Sequence, residues 1–292
     1  MSDGVRLGLI GAGRWGRIFI RTIGAAPGVE LAAVASSNPE TRALLPPGTA
    51  LVSDWRTLLA AGGLDGVIVA TPPASHAEIT IAALAAGLPV LVEKPLTMDP
   101  AEAEAIRAAA ERARLTVMVD HVHLFSPAWR QLKRLAAGLG PVLAIEGQAG
   151  NPGPRSSDTP ILWDWGPHDA AMCLDLLGGA PDSATAASAA DTVRLRLSFG
   201  AVTAEITLGT LPTKTRRFAV TCQGGRLAYD DQAAARLTLD GRPVPLDADP
   251  PLTVAVGEFA AAVAGKRFDT ASLDLGVAVV RLLADCRMEL SS

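Results

Sequence analysis

Cysteine is scarce: Cys173, Cys222 and Cys286 are the only three among 292 residues, far apart and with no CxxC pair. No histidine stands at a zinc-finger spacing either, so neither a disulfide framework nor a metal site is indicated, and the thiols read as small core residues in a reducing compartment. Charge of one sign is also lacking. Twenty-six basic against 30 acidic side chains leave a net charge of −4, which gives nucleic acid no electrostatic footprint. No stretch approaches the ~20 apolar residues that cross a bilayer, and the N-terminus enters a strand-like segment without a basic region and an apolar signal core. The expectation is a cytoplasmic protein with neither nucleic acid nor membrane as a partner. Internal repeats are missing too, and Ala184 to Ala190 reads as an alanine-rich linker.

The chain does have enough apolar sequence for two cores: 49% of its residues are hydrophobic, 19% are charged, and its length is about twice that of a typical domain. Short apolar runs at Val5 to Ile10, Glu30 to Ser36, Gly66 to Thr71, Pro89 to Glu93 and Thr116 to Val119, with a weaker one at Ala50 to Val52, alternate with helix-like stretches. That is the rhythm of βαβ units in a doubly wound parallel sheet. Asp99-Pro100 starts a helix, and Gly87 closes the one before. After Ser126-Pro127, another cap-and-proline start, a helix leads to a region of different character. There Val142 to Gln148, Thr192 to Phe199, Val202 to Leu208, Arg217 to Cys222 and Arg226 to Tyr229 read as a mainly antiparallel sheet. Two terminal helices follow, one with Leu252, Val256, Phe259 and Val263 on a single face, the other from about Leu273 to Met288. The fold class is α/β: a Rossmann domain over 1–122, then an α+β domain over 123–292 for substrate binding and oligomerisation.

Gly11-Ala12-Gly13-Arg14-Trp15-Gly16 is a GxGxxG that follows a strand and opens a helix, the context in which the motif signals dinucleotide binding. The glycines allow a tight turn and close backbone approach, and the helix N-terminus offers free N–H groups to a pyrophosphate. An acidic residue at the end of the second strand selects NAD, but here the strand ends Ser36-Ser37-Asn38, and Glu30 sits at its wrong end. The small hydroxyl residues leave room for a 2′-phosphate that Arg14 or Arg42 can counter, so the reading leans to NADP over NAD.

Thr71-Pro72-Pro73-Ala74-Ser75-His76 follows the next strand, and Glu93-Lys94-Pro95 comes about twenty residues later. With the glycine motif, these resemble the TPxxxH and EKP segments of the Gfo/Idh/MocA family. Trp163-Asp164-Trp165-Gly166-Pro167-His168-Asp169 is similar to its DxGxH segment in the WDxxPHD form. The resemblance implies an oxidoreductase that moves hydride between a nicotinamide and a hydroxyl or carbonyl of a sugar, sugar derivative or polyol, with Lys94 near the nicotinamide. It also implies association through an open sheet face as a homodimer or homotetramer. Relatives run lyase-like chemistry or act as cofactor-binding regulators without catalysis, and the latter is the alternative reading here.

The residue chemistry supports the resemblance. Oxidising a carbinol needs a proton acceptor, and His168 suits that role. Gly166-Pro167 reads as a helix entry that places His168 and Asp169 in the first turn, where the dipole favours a neutral imidazole and Asp169 complements the helix end. Asp164, just before that turn, is placed to fix the tautomer, and Lys94 to stabilise alkoxide charge. A further aspartate common in the family is replaced by Ala171. In Asp120-His121-Val122-His123 both rings share a face if the strand continues, although a metal is not expected and His123 reads as lining the substrate site. Arg155 is placed to meet a substrate carboxylate or phosphate. The WDxxPHD form with this upstream arginine resembles family members acting on nucleotide-linked sugars, and that resemblance implies such a substrate. Lys214, Arg216 and Arg217 read as a solvated turn or edge cluster.

Overall fold

The structure, a computed structural model, describes residues 4–153, 159–247 and 249–289. It divides into two compact units, Met1–Asp120 with Pro250–Val277, and His121–Asp249 with Ala278–Ser292. Compared with a single cut after residue 122, the segment 250–277 returns to the first unit.

The first unit runs β1 (Val5–Ile10), α1 (Arg14–Ala25), β2 (Val29–Ala35), β3 (Ala50–Val52), α2 (Trp55–Ala60), β4 (Gly66–Val69), α3 (His76–Ala85), β5 (Val90–Glu93), α4 (Pro100–Ala113) and β6 (Val117–Asp120). All pairings are parallel and the strand order is β3-β2-β1-β4-β5-β6, the doubly wound arrangement. Every residue of β4, β5 and β6 is buried, as expected for strands covered on both faces. Asp99 caps α4 by accepting from the Ala101 amide at 2.8 Å, with Pro100 in the first turn.

The second unit begins with a 3-10 turn over Val122–Phe125, so the strand ends at Asp120 and the condition under which the His121 and His123 rings would share a strand face is not met. Next come α5 (Pro127–Gly138), β7 (Val142–Asn151), α6 (Ile161–Leu177), β8 (Ser183–Ala189), β9 (Thr192–Phe199), β10 (Val202–Thr210), β11 (Thr215–Cys222), β12 (Gly225–Asp230), β13 (Leu237–Leu239) and β14 (Arg242–Pro243). After these lie α7 (Pro251–Ala264), α8 (Ala271–Ala284) and β15 (Arg287–Glu289). The second sheet is ordered β14-β13-β12-β11-β7-β10-β9-β8-β15, antiparallel except for the β7–β10 and β8–β15 pairs.

Three expectations are corrected. The alanine-rich segment is strand β8, paired along its length with β9, because hydrogen bonding to a neighbour overrides weak strand propensity. The last helix stops at Ala284, and Arg287–Glu289 pairs with β8 as β15. Finally, α6 starts at Ile161 and runs through Pro167, six residues earlier than the Gly-Pro pair suggested.

The core of the first unit includes α7, whose Phe259 and Val263 would each lie 3.2 Å from a Cβ at Gly66. Glycine thus lets this helix pack closely against strand β4.

Candidate active site

In the first unit, the residues proposed from the sequence for the cofactor gather at the carboxyl ends of β1, β2, β4 and β5, the edge where open α/β sheets bind ligands. The three glycines of the first loop differ in what requires them. Gly11 has φ +95°, and a Cβ there would meet the Ala70 carbonyl oxygen at 2.7 Å. At Gly16, a Cβ would fall 2.1 Å from the Gly11 carbonyl oxygen. These two are demanded by the protein's own backbone. Gly13 has an ordinary φ of −68°, and a Cβ there would meet nothing within 4 Å. Gly13 caps α1 without a side chain, no acidic residue occupies the first turn, and Arg14 is exposed beside it. The loop therefore offers backbone N–H groups and open space, which fits a dinucleotide pyrophosphate. Trp15 follows, half-buried.

Beyond β2, the Ser36 hydroxyl lies 2.9 Å from that of Thr41 and accepts from the Asn38 amide at 3.2 Å, while Ser37 is exposed. Glu30 is committed at the other end of the strand to Arg6, at 2.8 Å. Arg42 donates to the Thr49 carbonyl at 2.7 Å.

The Thr71 and Lys94 loops are joined by His76. Its ring is fully buried, with Nδ1 2.9 Å from the Pro95 carbonyl and Nε2 2.8 Å from the Thr71 carbonyl. Burial pushes its pKa down, against the pull of those carbonyls. His76 thus shapes the loops, and the Ser75 hydroxyl adds bonds to the Thr71 hydroxyl and the Pro72 carbonyl at 2.8 and 2.9 Å. The Lys94–Pro95 peptide is cis. Lys94 is half-buried, next to two carboxyls: Glu93 at the end of β5 and Asp120 opposite it at the end of β6.

In the second unit, Asp164 lies in the first turn of α6 and His168 one turn later on the same face. His168 is therefore mid-helix and 8% exposed, and the helix-dipole argument for its protonation state does not hold. Asp169 does not complement a helix end either. It is fully buried and paired at 2.7 Å with Arg216 of β11, also buried, whose guanidinium reaches Met172 Sδ at 3.5 Å. Strand alternation places Arg216 inward with Phe218 and Val220, so this residue leaves the solvated basic cluster expected from sequence.

The His168 imidazole packs edge-to-face on His123, ring centroids 4.8 Å apart and planes at 82°. His123 Nδ1 lies 3.0 Å from the hydroxyl of Tyr229 on β12, which is 1% exposed and whose pKa burial drives upward. Ser126 stands at the N-cap of α5, but its side chain makes no capping hydrogen bond. The sequence reading placed His123 and His168 but missed Tyr229, although the single tyrosine on an alternating strand was the available signal. Arg155 lies outside the described residues.

A family model described as an oxidoreductase family with an NAD-binding Rossmann fold matches residues 5–121. A solved structure from Magnetospirillum magnetotacticum MS-1, assigned as an oxidoreductase, is 47% identical, with 97% of this chain and 99% of that chain covered at a TM-score of 0.92. The rhizopine catabolism protein MocA of Rhizobium meliloti is 35% identical over 136 residues, 46% of this chain and 43% of the relative. UDP-N-acetylglucosamine 3-dehydrogenase of Acidithiobacillus ferrooxidans is 30% identical over 61% of this chain and 56% of its own length. The chain spans about half the length of these two named relatives.

Proposed function

Because the chain belongs to the Gfo/Idh/MocA family of oxidoreductases, we propose that it transfers hydride between a nicotinamide cofactor and a hydroxyl or carbonyl of a sugar, sugar derivative or polyol. The observation that carries this reading is Gly13, which no internal contact requires and which leaves space at a helix N-terminus. Gly11, Gly13, Arg14, Trp15 and Gly16 would hold the pyrophosphate, with Thr71, Pro72 and Glu93 lining the loops that His76 joins. The bound cofactor supplies the hydride acceptor or donor.

The chain's own groups handle the oxygen and its proton. His168 takes the hydroxyl proton, Asp164 one turn away orients it, and Lys94 stabilises negative charge on the reacting oxygen. His123 and Arg155 contact substrate, and a nucleotide-linked sugar is the finer expectation. Ser36 and Ser37, with no carboxylate at that strand end, support NADP over NAD. Oligomerisation into a dimer or tetramer is part of the proposal, through the sheet face that carries Arg194, Arg196 and Glu205 away from α6.

The test is a titration of tryptophan emission with NADPH and NADH, with Trp15→Phe identifying the part of the signal that comes from the loop. Quenching with tighter NADPH binding is expected. Tighter NADH binding overturns the reading of Ser36 and Ser37, and binding of neither cofactor removes the oxidoreductase proposal. Cofactor binding with no oxidation of any sugar or polyol would favour a non-catalytic regulator.

A further inference from the structure

Asp120 has no place in the scheme above, yet it is the least expected charge in the first unit. Strand β6 is otherwise apolar, and register puts Asp120 directly opposite Glu93 on the adjacent strand. Asp120 is 1% exposed and Glu93 5%. Glu93 Oε2 accepts from the Lys94 amide at 3.2 Å, while Glu93 Oε1 and both Asp120 oxygens have no hydrogen-bond partner among the described residues. Two ionised carboxylates cannot be buried side by side with one ammonium without leaving a net charge out of water. One added proton makes the group of Lys94, Glu93 and Asp120 neutral and lets one carboxyl donate to the other.

We infer that Glu93 and Asp120 form a carboxyl pair that shares one proton, and that Asp120 is a positioning residue keeping Lys94 cationic as pH rises. Burial, then mutual repulsion, pushes Glu93 well up, and burial raises Asp120 to about 7 against the pull of Lys94. Lys94 acts on both carboxyls and also on His76, and the buried His121 directly follows Asp120 in the chain. Above neutrality the pair gives up its proton, and the extra negative charge then opposes loss of the lysine proton. This role rests on the reading of Lys94 as the group that stabilises the reacting oxygen.

The folded pair keeps a proton that the unfolded chain loses near pH 4, so stability should fall as pH rises from about 4 through 7. Thermal melts of wild type and Asp120→Asn from pH 5 to 8 read this without substrate or cofactor. Wild type is expected to lose stability over that range, and the variant to lose most of the slope, a difference of roughly one bound proton. An unchanged slope overturns the pair. The profile of kcat/KM should also lose activity at lower alkaline pH in Asp120→Asn, with Asp120→Glu restoring the wild-type limb; an unmoved limb removes the role toward Lys94. An altered stability slope in a protein that binds no cofactor would keep the pair and sink the oxidoreductase reading. If the variant does not fold, carboxyl NMR titration of the wild type decides: a carboxyl titrating near neutrality is expected, and none above pH 5 refutes the pair.

Discussion

Replacing Arg216 with methionine tests whether a buried ion pair anchors the helix that carries His168. Arg216 is 6% exposed and Asp169 fully buried, their contact is 2.7 Å, and a Cβ at Gly147 would come within 3.3 Å of Asp169 Oδ1, so β7 makes room for the carboxylate. Removing the cation leaves a buried carboxylate without a counter-ion, which costs about 3–5 kcal/mol. The penalty has a ceiling that depends on pH. Burial already raises the Asp169 pKa in the intact protein, and without Arg216 it rises further, so the variant escapes by keeping a proton. Holding that proton costs about 1.4 kcal/mol per pH unit relative to an unfolded chain that has lost it, so the penalty is larger at pH 8 than at pH 5. Urea unfolding at both values measures it. Asp169→Asn combined with Arg216→Met removes both charges and should recover most of the loss. A penalty below about 1 kcal/mol at pH 8, or one independent of pH, would show that the pair is not buried as described.

The glycine loop separates folding from binding: Gly16→Ala should destabilise strongly, since its Cβ would sit 2.1 Å from a carbonyl oxygen, whereas Gly13→Ser, which keeps a favourable N-cap, should melt like wild type and lose nicotinamide-cofactor affinity at least tenfold. Similar effects of the two on affinity and melting temperature would refute the assignment of Gly13 to the ligand. Tyr229→Phe deletes the 3.0 Å contact to His123 while keeping the buried ring, so kcat should fall several-fold with cofactor affinity unchanged. An unchanged kcat and pH profile would leave Tyr229 a packing residue. Lys94→Ala and His168→Ala should each lower turnover at least a hundredfold with cofactor binding retained, and full turnover in either variant removes that residue from the chemistry.

The sequence by itself determined the parallel sheet, because strands buried on both faces, such as β4, β5 and β6, must be written as apolar runs. The bounds of Val5–Ile10 and Ala50–Val52 in that sheet, and of the alternating Thr192–Phe199 in the other, were legible to the residue. The same holds for Gly16, whose Cβ would strike the carbonyl of nearby Gly11, whereas the clash at Gly11 is with Ala70, far along the chain. The sequence did not determine β8, whose alanines form a strand only because β9 and β15 offer partners. Nor did it determine the start of α6, since a proline inside a helix and one at its entrance look alike until the preceding turn is seen to pack. The sites follow the same division. Lys94 and His168 stood in local motifs, but Asp120 opposite Glu93, Arg216 against Asp169 and Tyr229 on His123 join residues far apart in the chain. Their meaning depends on strand register and on which face turns inward, and both are decided by tertiary packing.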